Sequence, residues 1–294
     1  MEIKIVHFEA DDNINLTGIL YKNKNETNKI LISVHGMVSN CLKKRDEEIA
    51  KKLENINIDV LAFNNRGHDI VNYIKKKNGD NIISGTAFED VEDGYLDILG
   101  AIKFALNKGY KEIYLMGHSL GSTKVVYSYN KFLEKNKDIV KNIKAIILLS
   151  LVDIPATLRI YLNDKFPETL KYAKDMEQAG IENILMPEKS FIHPVSIKTF
   201  LKYARNYQNI DFAKYSEKEY DFKELNNIEV PLFMRWGNIN ELILQDAQKL
   251  CEFLKGKIKN NNLDINYIDG ANHSYKGKEE ELGEEIKNFL GKLN

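Results

Sequence analysis

Apolar and polar positions change rhythm several times along the chain, and each change marks a predicted element. Ile3 to Phe8 alternates apolar with polar residues, and Leu16 to Tyr21 follows the turn-rich Asp11-Asp12-Asn13, which together predict an antiparallel hairpin. Four short apolar runs come next: Ile30 to Val34, Asp59 to Phe63, Glu112 to Met116 and Ala145 to Leu149. Continuous runs of that length suit strands buried on both faces, as in a parallel sheet. Between them lie segments of helical period, Lys43 to Leu53, Val91 to Ala105 and Ser122 to Leu133. Strand, helix and strand in this order build right-handed crossover units. The predicted fold class is therefore α/β, with a mostly parallel central sheet and helices on both faces.

After Ser150 the alternation stops. It resumes with a strand from Val230 to Trp236, a helix from Leu244 to Leu254, a strand from Asp264 to Ile268 and a last helix from Glu279 to Leu290. Residues 1–152 and 228–294 are thus expected to form the core domain, and 153–227 an inserted helical cap or lid over the sheet. The insert holds four of the five prolines and many aromatics, including Tyr161, Phe166, Tyr172, Phe191, Phe200, Tyr203, Tyr207 and Tyr215.

Composition narrows the picture. A chain of 294 residues, 43% hydrophobic, is long enough to bury one sizeable core. Its 42 Lys and Arg against 43 Asp and Glu leave a formal net charge of -1, which gives no global field to draw nucleic acid or an anionic membrane. A small-molecule partner is expected, and oligomeric state is left open. The start Met1-Glu2-Ile3-Lys4-Ile5 lacks a signal-peptide pattern, and no run approaches the ~18 apolar residues of a membrane span, so a cytoplasmic protein is expected. Cys41 and Cys251 each sit in a segment of helical period, far from a second thiol, and read as free thiols. The runs Lys75-Lys76-Lys77 and Glu279-Glu280-Glu281 read as solvated loops or helix faces.

The strongest chemical signal is Gly117-His118-Ser119-Leu120-Gly121, placed where a strand pattern ends and a helix pattern begins. A Ser at so tight a turn has a strained backbone, and glycines on either side let strand and helix approach. The turn would lift the Ser119 hydroxyl above the carboxyl ends of the strands. The first helical N–H groups, starting with Leu120, would then point where an oxyanion develops. His118 reads as a neighbour that packs or hydrogen-bonds beside the turn.

This pentapeptide resembles the nucleophile elbow of the α/β-hydrolase superfamily, with its lipases, esterases and thioesterases. The resemblance implies that His35-Gly36-Met37 is an oxyanion loop and the Met37 N–H a second donor. It implies a mostly structural role for Asn64-Asn65-Arg66-Gly67-His68-Asp69. Of the six histidines, His7 lies in the first strand, His193 in the insert, and His35, His68 and His118 are accounted for. His273, in the loop after the final strand, remains as general base and fits the family order of Ser, acid, His.

The acid departs from the family pattern. Gly237-Asn238-Ile239-Asn240 puts Asn240 where the superfamily usually has Asp. Glu241, one methylene longer, could reach from the next position and is favoured over Asp153 at the end of the preceding strand; Asn240 itself is a third possibility. The implied function is a serine hydrolase cleaving a carboxylic ester or thioester of a small to medium acyl substrate. An acyltransferase with the same triad and an inactive binding or regulatory protein of this fold are the alternatives. No cofactor or metal is expected: the dinucleotide and P-loop glycine patterns are absent, and no His pair has metal-ligand spacing. Aspartate-nucleophile relatives are excluded by Ser119.

Overall fold

The protein is described by a computed structural model covering residues 1–204 and 210–293. Tyr207 of the aromatic insert lies outside the described residues. The first half runs β1 (Glu2–Glu9), β2 (Asn15–Lys22), β3 (Lys29–Val34), α1 (Lys44–Leu53), β4 (Asp59–Phe63), β5 (Asn72–Lys75), β6 (Asn81–Ser84), α2 (Gly94–Asn107), β7 (Glu112–His118), α3 (Leu120–Lys135), α4 (Lys137–Val140) and β8 (Ile143–Leu149). The second half runs α5 (Ile154–Leu162), α6 (Phe166–Gln178), α7 (Ile197–Ala204), α8 (Lys223–Asn226), β9 (Leu232–Gly237), α9 (Ala247–Lys257), β10 (Leu263–Ile268) and α10 (Glu279–Gly291).

Eight of these strands form one sheet in the order β1-β2-β4-β3-β7-β8-β9-β10. β2 is antiparallel to both neighbours, and the pairings from β4 through β10 are parallel. Burial on both faces explains the continuous apolar runs, because successive side chains point opposite ways. Ile113 and Leu115 of β7 pack with Ile98 and Ile102 of α2 and Val125 and Tyr129 of α3, whereas Tyr114 and Met116 pack with Ile49 of α1 and Ile286 of α10. The same division holds in β8, with Ile146 and Leu148 on one face and Ile147 and Leu149 on the other.

Chain order places the site. From β3 the chain goes outward to β4, and β7 lies on its other side, so the strand order reverses there. A crevice opens beyond the carboxyl ends of strands at such a point. Val34 pairs with Gly117, which brings the His35–Met37 loop level with the turn at Ser119.

Several expectations shift. The Lys75–Lys77 run is no free loop: Lys75 ends β5, and Lys76 turns the chain back toward β6 in a hairpin whose Gly79 has φ +94°. Its alternation is too short to stand out from turn residues. α9 begins at Ala247 rather than Leu244 because the Asp246 carboxylate caps it, accepting the Lys249 N–H at 3.1 Å. β9 starts after Pro231, which has no N–H for the ladder. Cys41 is buried in the loop before α1, its N–H bonded to Asn64 Oδ1 at 2.7 Å, while Cys251 lies in α9; both are free thiols. Glu279 is buried at the start of α10 and accepts the Gly277 N–H, unlike its exposed neighbours Glu280 and Glu281. Among the described residues no helix is long and apolar enough to cross a membrane.

Between β8 and β9, α5, α6 and α7 share a separate apolar cluster with Leu158, Ala173, Phe191, Phe200 and Tyr203 at its centre. Leu120 and Val152 from the sheet edge join that cluster.

A buried ion pair sits beneath the site. Lys124 of α3 donates to Glu89 Oε2 at 2.5 Å and to Asn65 Oδ1 at 2.9 Å, with both charged side chains essentially solvent-free. Removing one partner of such a pair strands the other. Lys124→Met should therefore lower the unfolding free energy by about 3–5 kcal/mol in urea denaturation, and Lys124→Met with Glu89→Leu should recover much of it. A single variant as stable as the wild type would sink this account.

Candidate active site

Ser119 sits at φ 56°, ψ −125°, in a region that residues with a Cβ seldom occupy. Holding it there costs roughly 1–3 kcal/mol and needs neighbours that leave no alternative. Those neighbours are glycines because there is no room for anything else. A Cβ on Gly121 would lie 2.1 Å from Val34 O, and one on Gly117 would lie 2.4 Å from Gly121 O. The Ser119 N–H is tied to Leu149 O at 2.8 Å, and Ser122 Oγ donates to the same carbonyl at 2.9 Å.

The loop after β3 closes on this turn. A Cβ on Gly36 would stand 2.9 Å from Ser119 Cβ and 3.2 Å from Leu120 N. Val38 has φ +49°, an unusual value for a β-branched residue, and its N–H donates to Thr86 Oγ1 at 2.7 Å. Met37 and Leu120, the two expected oxyanion donors, thus flank Ser119. Their N–H groups have no acceptor among the described residues.

His35 holds the loop from below. Its Nδ1 bonds Gly36 O at 2.9 Å and its Nε2 accepts the Asn65 N–H at 3.2 Å, which fixes a neutral imidazole. Burial, with the charge of Lys124, pushes its pKa down to about 3. Arg66 and His68 lie away from Ser119. Arg66 is buried on Asp97, with contacts of 2.7, 2.8 and 3.0 Å, and His68 pairs with Asp69.

His273 reaches the serine from the loop after β10. Its Nε2 lies 3.0 Å from Ser119 Oγ, and its Nδ1 makes a hydrogen bond to Glu241 Oε1. His118 braces that loop: its Nε2 donates to His273 O at 2.7 Å, and the two rings lie 5.1 Å apart. Burial holds the His118 pKa well below the ordinary value, so it stays a neutral donor.

Of the three acid candidates, the structure brings Glu241 to His273. Its Oε2 accepts the Ser150 hydroxyl at 2.7 Å and the Gly237 N–H at 3.0 Å, and Oε1 also accepts the Leu242 N–H at 2.9 Å. Burial opposes ionisation, yet His273 and these donors together hold the carboxyl below its usual range. Asn240 is exposed, with φ +48°, and makes the turn that delivers Glu241. Asp153 instead caps α5, accepting the Ala156 N–H at 3.1 Å, and takes the Ser216 hydroxyl at 3.1 Å. Burial raises its pKa.

Two site residues were not found from sequence. Ser150, at φ +47°, bonds Glu241, and Tyr275 lies 3.0 Å from Ser150 Oγ and donates to Arg235 O at 2.8 Å. A serine directly after a buried strand and a tyrosine two residues after the histidine were the only signals, and both are common.

Two spaces meet at Ser119. One is a small apolar space lined by Leu120, Val152, Ile154, Leu158 and Phe191. The other is an open cleft that includes His273.

The sheet order, the Gly-flanked strand-to-helix turn and the His at the last strand's end define a class: the chain has the α/β-hydrolase fold. Among solved structures it is similar to Est1E from Butyrivibrio proteoclasticus with ferulic acid bound, with 19% identity over 98% of this chain and 99% of that one, and TM-score 0.69. It is similar to a Pyrococcus furiosus esterase, with 22% identity over 99% and 91% of the two chains and TM-score 0.59. It is also similar to the α/β hydrolase GrgF from a Penicillium species, with 14% identity over 100% and 99% and TM-score 0.67. No family model matches the chain, and no curated protein matches it in sequence.

The neutral histidines give a pH dependence. A group with a folded pKa near 3 and an unfolded pKa of 6.5 binds more protons when unfolded throughout that interval, so stability falls as pH drops from 6.5 toward 3. The thermal midpoint should decline across this window, and His35→Gln, whose amide can stand in for Nε2, should flatten the decline. An unchanged slope in the variant would count against a neutral His35.

Proposed function

We propose that the protein is a serine hydrolase that cleaves carboxylic esters or thioesters of small to medium acyl groups through an acyl-enzyme. The observation that carries this reading is the continuous alignment of Ser119 Oγ, both ring nitrogens of His273 and the Glu241 carboxylate. The Pyrococcus furiosus protein and the domain from Rhodothermus marinus bear esterase names, which agrees with it.

As Ser119 Oγ attacks the carbonyl carbon, its proton passes to His273 Nε2. Glu241 keeps Nδ1 protonated and stabilises the imidazolium. Negative charge grows on the carbonyl oxygen, which the Met37 and Leu120 N–H groups receive. When the tetrahedral intermediate collapses, the bond from acyl carbon to leaving oxygen or sulfur breaks and His273 returns the proton to that atom. Water then adds to the acyl-enzyme, giving its proton to His273, and free acid departs as Ser119 regains a proton.

The apolar cavity beside Leu120 takes the acyl group. Residues 153–227 act as a cap over it, supplying Ile154, Leu158 and Phe191 to its wall. Gas-tight closure is not required, because water must reach the acyl-enzyme.

Ser119→Ala should abolish turnover of 4-nitrophenyl butanoate and labelling by a fluorophosphonate. Glu241→Ala should lower kcat by about 10³–10⁴ with labelling slowed in step. Asp153→Ala should lower the thermal midpoint and retain most of kcat, since it removes a helix cap worth about 1 kcal/mol. Full activity in Ser119→Ala, or a folded wild type whose serine never labels, would overturn the reading.

A further inference from the structure

The cleft on the His273 side of Ser119 has a charge that the whole chain lacks. The chain carries a formal net charge of -1, yet Lys43, Lys44, Arg45 and Lys276 all line this open cleft, together with His193. The one carboxylate in its wall, Glu279, is buried and already accepts the Gly277 N–H at 2.7 Å. Lys43, Lys44 and Lys276 have no carboxylate partner among the described residues. Arg45 is buried and its Nε donates to Asp46 at 3.2 Å; its Nη2, 3.1 Å from the same oxygen, lacks hydrogen-bond geometry and has no other acceptor. Unpaired cations around one opening raise the local concentration of anions and strengthen their binding.

Chemistry decides which part of the substrate meets this charge. The departing group takes its proton from His273 Nε2, so it must lie on the side where His273 is exposed. That side is the basic cleft, which His273, Ser274 and Lys276 line with Ser119. The apolar cavity, by contrast, contains Ser119 and Leu120 but neither His273 nor any charged side chain. The two spaces therefore sort a substrate by polarity, with the carbon chain on one side of the scissile bond and the charged portion on the other.

Resting on the serine-hydrolase reading, we infer that the natural substrate is an ester or thioester whose alcohol or thiol portion carries a negatively charged group, a phosphate or a carboxylate, held by Lys43, Lys44 and Lys276. Arg45 fixes the rim of the cleft. The acyl portion is uncharged and enters the apolar cavity. Hydrolysis then releases an apolar carboxylic acid and an anionic alcohol or thiol, with the proton supplied to the latter by His273.

The test compares butanoate esters of 4-nitrophenol and of 3-carboxy-4-nitrophenol, each corrected for its hydroxide-catalysed rate. A second pair compares the butanoate esters of glycerol and of glycerol phosphate. At low ionic strength kcat/KM should favour the charged member by about tenfold, and the larger preference identifies carboxylate or phosphate as the better fit. The preference should shrink toward unity in Lys43→Ala/Lys44→Ala/Lys276→Ala and at high salt, where screening shortens to a few ångströms. Lys43→Glu/Lys276→Glu should reverse it, and thermal midpoints check that both variants fold. Equal ratios in wild type and variants would overturn the inference while turnover of the neutral esters upheld the hydrolase reading. Failure to cleave any ester, with no fluorophosphonate labelling, would bring down that reading and the inference with it.

Discussion

Everything at this edge of the sheet depends on one steric constraint: α3 must begin in direct contact with the ends of β3 and β7. Backbone atoms of Val34 and His35 occupy the space where a side chain on residue 121 would go, and the backbone of residues 121 and 122 does the same at residue 117. Helix and strands can meet that closely only through glycine. Once they do, the residue between them has no ordinary conformation left, and Ser119 takes the strained one. The strain is local, whereas the packing that enforces it runs through Leu115, Val125 and Val126 into the core, so the balance favours the strained turn.

Around that turn, charge is distributed by burial and pairing. His35 and His118 are kept neutral by burial, helped by the cations Lys124 and Arg45, and each then uses a single N–H to pin a loop carbonyl. Glu241 stays ionised at equal depth because four donors converge on it. Lys124 and Glu89 solve the same problem by facing each other under the loop after β3. These are different answers to one cost, that of an unpaired charge away from water.

The sheet was legible because its strands are buried on both faces and so read as unbroken apolar runs. The turn at Ser119 was legible because steric exclusion writes itself as glycine. The β5–β6 hairpin was not, since four-residue strands with exposed Tyr73 and Ile83 carry too little alternation. Glu241 was legible from its position one residue past Asn240, but the contacts of Ser150 and Tyr275 depend on how the loops after β8, β9 and β10 pack together. Local sequence holds no record of that: Asn240 looked like the odd member of the site, and its role is to turn the chain with a positive φ.

Those packed loops bear on how such a site can vary. Gly237 lies against Ala271, where a Cβ would come within 2.2 Å of the Ala271 carbonyl, and Asn238 bonds both Asp269 and Gly270 across the gap. The Gly237 N–H is fixed by this clamp and the Ser150 hydroxyl by Tyr275 and by the Ser150 N–H bonded to Arg235 O, and the two define a socket for one carboxylate oxygen. The carboxylate is thus specified by a location in space, and a chain can fill it from neighbouring positions by trading backbone reach for a methylene. The socket formed by the Gly237 N–H and the Ser150 hydroxyl, more than the residue spacing, marks where a carboxylate reaches His273.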